Sequence, residues 1–382
     1  FKQKTAYEIR PRDWSSDVCS SDLVRRSALA AVSLLGVVGG SLSVHADTLS
    51  QRVLSGTLQN TTSAMPSGGF PEVGLTCAAA SPTCTIDLAA NASSVTVHDS
   101  VNGTQTVPVW AFGVNGAQVG LAGTPGSVIK VVQGTTLTIN LSQGAGTGSP
   151  IDLVFPDLPL NAVSHTGTTY TVQASEVGTT LFEPGINADA PKQIDMGMVG
   201  VLIVVPSTCS DHVNYACAYD STAYNHEAVV AFNTVDAEFA ANPTGFEMSY
   251  FGQARTADNK PRKVYHMING KSFPDTDLID VLQGNSLLIR YINAGEAEVV
   301  PNLVGIAQSI LGRNNSPYSD AQAQVAPLIM SGETVEATIS VPMGSVAPTG
   351  TKYALTNQVR DFSHGNQHGF GGALTFISVW SQ

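Results

Sequence analysis

One phrase occurs twice in this chain, and it constrains the fold more than any other feature. Val131-Val132-Gln133-Gly134-Thr135-Thr136-Leu137-Thr138-Ile139-Asn140-Leu141 returns 150 residues later as Val281-Leu282-Gln283-Gly284-Asn285-Ser286-Leu287-Leu288-Ile289-Arg290-Tyr291. Each copy reads as strand, turn, strand. A Gly beside a small polar residue supplies the turn, and the alternation Leu137, Ile139, Leu141 (then Leu287, Ile289, Tyr291) gives the second strand one buried face. A repeat at this spacing predicts two similar domains.

The segment in front of them has another character. Residues 1–23 lack an initiator Met and any apolar period, and they resemble translated sequencing-adapter read-through, so they are expected to stand outside the folded protein. Residues 24–46 read as a signal peptide: Arg25-Arg26, an apolar run from Ala28 to Val44, and a small-residue cut site at Val44-His45-Ala46 before Asp47. Export to a secreted or periplasmic location follows as an expectation. The rest of the 382 residues suffices for two domains with a core each. The formal charge of −12 argues against nucleic acid and anionic membrane surfaces as partners, and no later stretch is apolar for long enough to span a bilayer. Charged residues make up only 13% of the chain, while Gly, Thr, Ser and Val are plentiful, which suits an exported all-β protein.

Strands are expected at Cys84 to Leu88, Ser94 to His98, Val107 to Gly113, Ile151 to Phe155, Thr168 to Val172, Thr180 to Phe182 and Val199 to Val205 in a first domain spanning 47–207. Residues 208–225 read as a polar connection. A second domain, 226–382, opens with a strand at Glu227 to Phe232 and a short helical turn near Asp236 to Ala241. Tyr265 to Lys271 leads into the second copy of the repeat, and further strands are expected at Thr334 to Val341, Tyr353 to Asn357 and Ala373 to Val379. Beyond Cys19, the cysteines form two close pairs, and in an oxidising compartment Cys77–Cys84 and Cys209–Cys217 are the default disulfides. Four thiolates without a Cys-x-x-Cys knuckle or nearby His do not resemble a zinc or iron-sulfur site.

Several short motifs then occur in order along the two halves: Pro125-Gly126 before Gln133-Gly134, Ile268-Asn269-Gly270-Lys271 before Gln283-Gly284, Ile292-Asn293-Ala294-Gly295, and the closing Gly197-Met198-Val199-Gly200-Val201-Leu202. Together they resemble the cupredoxin domains of multicopper oxidases and copper nitrite reductases over most of Val107 to Trp380. The resemblance implies an all-β chain of two Greek-key cupredoxin-like β-sandwiches in tandem, copper as cofactor in active relatives, and a homo-oligomer as one outcome, because the related enzymes often assemble through these domains.

A blue-copper centre needs a thiolate, two imidazoles and a weak axial thioether. Where the family places His-Cys after the strand that Thr180-Leu181-Phe182 resembles, this chain has Glu183-Pro184-Gly185, and where it places the next His it has Gln193; Met198 keeps the axial position. The early His-bearing strand corresponds to Ile151 through Pro156, without His. In the second half Val299-Val300-Pro301-Asn302-Leu303-Val304-Gly305 stands for His-x-x-His-x-His-Gly, and Phe362-Ser363-His364 with His368 stands for the His-Cys-His element. The trinuclear oxygen site loses most of its ligands as well.

His364 and His368 are therefore the candidate metal ligands, with His226 or His266 as a third donor. Ser363, His364 and Asp361 lack the elbow and oxyanion hole of a hydrolase. Glu183, Asp189 and Asp195 read as a solvated acidic loop rather than a pocket. Asp275 to Asp280 resembles part of a calcium loop but lacks its Gly and terminal Glu, so a loop leading into a strand is preferred. The sequence reads best as a copper-depleted, non-catalytic binding or structural module with no cofactor. The alternative is a copper-dependent oxidoreductase.

Overall fold

In the computed structural model both copies of the repeat adopt one backbone. The structure describes residues 76–77, 81–99, 103–114, 128–143, 147, 150–185, 187–208, 216–219, 222–243, 263–343, 349–358 and 371–381. The first sandwich comprises β1 (Thr83–Asp99), β2 (Gly103–Val114), β3 (Val128–Val132), β4 (Thr136–Gln143), β5 (Val163–Thr166), β6 (Thr169–Gln173), β7 (Gly178–Phe182), helix α1 (Ala190–Asp195) and β8 (Gly200–Val205). A hairpin of β9 (Ala216–Ala218) and β10 (Thr222–Tyr224) follows. The second sandwich comprises β11 (His226–Asp236), α2 (Ala237–Ala241), β12 (Val264–Ile268), β13 (Ile279–Leu282), β14 (Ser286–Asn293), β15 (Pro301–Leu303), β16 (Gln308–Arg313), β17 (Ser316–Gln324), β18 (Thr334–Ser340), β19 (Lys352–Asn357) and β20 (Leu374–Trp380).

The two sheets of the first sandwich run β2-β1-β4-β6-β5 and β3-β8-β7; those of the second run β12-β11-β14-β18-β16-β17 and β13-β20-β19-β15. The central strands correspond, although among the described residues the second sandwich has ten strands to the first's eight. β4 lies parallel to β1 as β14 lies parallel to β11, and β3 lies parallel to β8 as β13 does to β20. The Gln-Gly turn explains why. Gln133 N donates to Val205 O and Gly134 N to Ala174 O, both at 2.8 Å; Gln283 N donates to Trp380 O at 2.8 Å and Gly284 N to Val341 O at 3.1 Å. One tight turn thus ties the two sheets of each sandwich together. Gly134 (φ +90°) and Gly284 (φ +73°) hold left-handed conformations that a Cβ disfavours.

Each sandwich buries its alternate residues in its own core, Leu137 and Ile139 in one, Leu287 and Ile289 in the other. The strands β3, β7 and β8 are buried on both faces, which accounts for the continuous apolar run at Val199 to Val205. Their second face packs on the second sandwich: Val201 and Ile203 meet Val229, Ala231 and Ile292.

Several sequence expectations change. Cys84 to Leu88 and Ser94 to His98 are parts of one strand, because the small residues from Ala89 to Ser93 stay extended against β2. Ile151 to Phe155 contributes only a single bridge, Val154 to Glu183. The six-residue helix α1 is too short to show a period. Asp189 at its N-cap and Pro191 in its first turn start it. The helical turn near Asp236 forms as α2, capped by the Asp236 carboxylate. The described part of the connection packs on the second sandwich, Ala218, Tyr219 and Tyr224 against Leu288 and Leu311. Cys77 is bonded to Cys84, and Cys217 is disulfide-bonded while Cys209 lies outside the described residues. Residues 1–46 lie outside them too. No described helix is long and apolar enough to cross a membrane.

Candidate metal centre

At the end of β7 the chain turns through Glu183 into a loop and helix α1. Glu183 is held by its backbone: Val154 N donates to Glu183 O at 2.8 Å and Glu183 N to Val154 O at 3.0 Å. The Asp152 carboxylate accepts from Gly185 N and from Asn187 Nδ2, each at 3.0 Å. Asn187 Nδ2 also donates to Gln193 Oε1 at 3.1 Å, and Gln193 Nε2 donates to Pro150 O at 3.1 Å. Gln193 is 0% exposed, and Met198, whose N donates to Gln193 O at 3.0 Å, is equally buried in the core. Both ends of a buried amide that would otherwise cost about 1–3 kcal/mol are thereby satisfied.

The acidic residues separate. Asp189 pairs with Lys192 at 2.6 Å. Glu183 and Asp195 line a cavity of about 170 Å³ between the sandwiches, faced by Thr234, Asn293 and Glu296. The reading of all three as a solvated loop therefore fails for two of them. Burial pushes the Glu183 carboxyl above its ordinary range, and nearby Asp157 adds to the effect.

In the second sandwich Val299, Pro301 and Leu303 are buried, Val299 pairs with Ile329, and Asn357 Oδ1 accepts from Val300 N at 2.8 Å. His364 and His368 lie outside the described residues, as do Asp361 and Ser363. The proposed third donors stand far apart. His226 begins β11 against Asn285, whereas His266 lies opposite Thr234, eight residues further along that strand and so roughly 26 Å away. Only His266 lines the small cavity at the end of the sandwich, beside Asn233, Asn293 and Asn357. The carboxylates of Asp275 to Asp280 also disperse: Asp275 pairs with His98, Asp277 with Lys271, and Asp280 accepts from Trp380 Nε1. Among the described residues no group of three or more His, Cys, Asp or Glu is placed to hold a metal ion.

No family model matches the sequence, and no curated protein does. Solved structures do match. The blue copper oxidase from Nitrosomonas europaea is 19% identical over 78% of this chain and 86% of that one, with a TM-score of 0.60. The multicopper oxidase mgLAC is 19% identical over 78% and 86%, with a TM-score of 0.56. The copper nitrite reductase from Nitrosomonas europaea is 18% identical over 78% and 93%, with a TM-score of 0.54. This chain has the multicopper-oxidase fold.

Within that fold the donors described for the first sandwich do not fit a blue-copper ion. Glu183 offers a hard carboxylate oxygen, and Gln193 offers an amide already committed to Asn187 and Pro150; neither is the soft sulfur donor that a blue-copper ion takes. Only the Met198 thioether suits copper, as a weak ligand. The second sandwich has no thiolate of its own, since no Cys follows Cys217 in the sequence.

The sequence singled out Glu183 and Gln193 but not the network around them. Asp152 and Asn187 come from separate segments and carry no motif. A buried polar assembly elsewhere was also missed. Arg290 Nε donates to Glu227 Oε1 at 2.6 Å; its Nη1 donates to Glu336 Oε1 at 2.7 Å and to Thr179 Oγ1 at 3.0 Å. Lys130 pairs with Glu227, and the Tyr219 hydroxyl donates to Glu336. Thr179 and Lys130 belong to the first sandwich, so this is the buried clasp between the two. Burial opposes the charge on Glu227, but Arg290 and Lys130 outweigh it and hold the carboxyl below its ordinary value.

Proposed function

We propose that the protein is an exported, non-catalytic binding or structural module built on the multicopper-oxidase fold. The observation that carries this reading is Gln193, fully buried at the position of a family copper ligand with both ends of its amide bonded to protein. A ligand position sealed in this way favours rigidity over metal exchange. Export is supported by the signal-like residues 24–46 and by the Cys77–Cys84 disulfide, a bond suited to oxidising compartments. The alternative, a copper-dependent oxidoreductase using His364 and His368, draws on the likeness to copper enzymes. Copper-soaked, desalted protein separates the two. The module binds less than one equivalent by elemental mass spectrometry, shows no blue charge-transfer band and oxidises no phenols. A full equivalent of copper with a blue band and phenol oxidation overturns the proposal.

A further inference from the structure

The outer face of the sheet β2-β1-β4-β6-β5 carries Thr-x-Thr three times, at Thr83 and Thr85 on β1, Thr136 and Thr138 on β4, and Thr169 and Thr171 on β6. The residues between them, Cys84, Leu137 and Tyr170, are buried, so the threonines point away from the core. The ladders set them side by side. Thr85 lies opposite Thr138, which lies opposite Thr171, and Ser164 on β5 extends the row. On one side runs the row Thr83, Thr136, Gln173; on the other runs Asp87, Asn140, Thr169, Thr166.

Strand geometry makes this a grid, about 4.8 Å across the strands and about 6.7 Å along them. The side chains are also held in place. Threonine has few χ1 states, Thr136 Oγ1 donates to Gln173 Oε1 at 3.0 Å, Asn140 Nδ2 to Asp87 Oδ1 at 3.1 Å, and Thr169 Oγ1 to Asn140 Oδ1 at 3.3 Å. Much of the ordering entropy of binding a surface is therefore already spent in folding. In a protein of charge −12 the three rows contain a single charge, Asp87, and no Lys, Arg or aromatic residue. Anionic surfaces find no cation there, and sugar rings find nothing to stack on. What such a face complements is a neutral, flat lattice that donates and accepts hydrogen bonds at regular intervals.

We propose that this face binds ice. Both grid spacings lie close to oxygen repeats on the prism plane of hexagonal ice, and each threonine offers a hydroxyl to bond the lattice and a methyl that sheds liquid water. Sheet twist of roughly 20° per strand confines the match to β1, β4 and β6. The expected activity is therefore inhibition of ice recrystallisation with a small thermal hysteresis.

The test uses the purified full chain in a recrystallisation assay, with serum albumin at equal concentration as the baseline. The wild type keeps ice grains small. Thr138→Lys and, separately, Thr171→Lys require roughly tenfold more protein for the same effect, because a charge at the centre of a small contact removes most of its energy. Gln322→Lys, on the exposed strand β17 of the other sandwich, matches the wild type. Unchanged thermal melting of each variant shows that it is folded, and the two independent face variants guard against one that is not. A wild type no better than albumin overturns the proposal, as does equal loss in Gln322→Lys or no loss in either face variant. Retention on crystalline chitin or cellulose without any ice activity overturns it in favour of a polysaccharide.

Discussion

The same strand in the two sandwiches meets opposite surroundings. β4 and β14 share a turn, a register and an inward row of apolar residues, yet their outward rows diverge. Thr138 and Asn140 of β4 lie on the outer face, while at the matching positions of β14 Leu288 lies under the β9–β10 hairpin and Arg290 reaches Thr179 of the first sandwich. The neighbours diverge with them: Thr85 and Thr169 flank β4 where Glu227 and Glu336 flank β14. One face became a hydroxyl grid and the other a charged interface. Inward positions are set by the fold, whereas outward positions are free to take up whatever the surface must do.

The largest effect that tests this comparison comes from Arg290, which is 2% exposed. Arg290→Ala leaves Glu227 and Glu336 buried without their shared cation and is expected to cost about 3–5 kcal/mol in urea unfolding. Asn140→Ala, the matching change on the open face, stays within about 0.5 kcal/mol. Similar costs for the two would mean that the clasp does not hold the sandwiches together. The clasp also has a pH signature. Because the Glu227 carboxyl sits below its ordinary value of 4.5 when folded, its stabilisation is complete above that pH and is lost as pH falls through the lower folded value. Glu227→Gln is therefore less stable than the wild type at neutral pH, and the gap narrows on acidification below about 4.5, as denaturation at a series of pH values will show.

A smaller effect is expected at Gln193. Gln193→Ala strands Pro150 O and one hydrogen of Asn187 and creates a void, at a cost of about 1–3 kcal/mol. Elemental analysis of the Gln193→His variant separates sealed geometry from mere ligand identity. If the polar network keeps the position shut, this variant takes up no more copper than the wild type.

Much of the architecture was legible because alternation along a strand is local. Leu137, Ile139 and Leu141 announce a buried face without reference to any other segment. The interface was not legible, since an Arg on a strand reads as solvated unless its partners are known, and those partners stand 63 and 46 residues away on neighbouring strands. Tyr219 and Tyr224 were lost in a polar connection for the same reason. At the candidate site Glu183 and Gln193 were visible as departures from a family pattern. The cavity beside Glu183 was not, because the second sandwich supplies its other wall.

The finest test sits in the turn that both sandwiches share. Gly134→Ala and Gly284→Ala each force a Cβ into a left-handed conformation, at a cost of about 1 kcal/mol. At Gly134 the added carbon meets nothing within 4 Å, so backbone strain is the whole effect. At Gly284 it lies 2.9 Å from Met343 Cγ and Sδ. Met343 is exposed and flexible, so it swings aside and adds only a few tenths of a kcal/mol. Equal losses within that margin, measured by chemical denaturation, would show the two turns to be interchangeable parts of one design. A much larger loss at Gly284 would mean that Met343 is pinned, and that the second sandwich uses its copy of the turn to hold a neighbour as well as to reverse the chain.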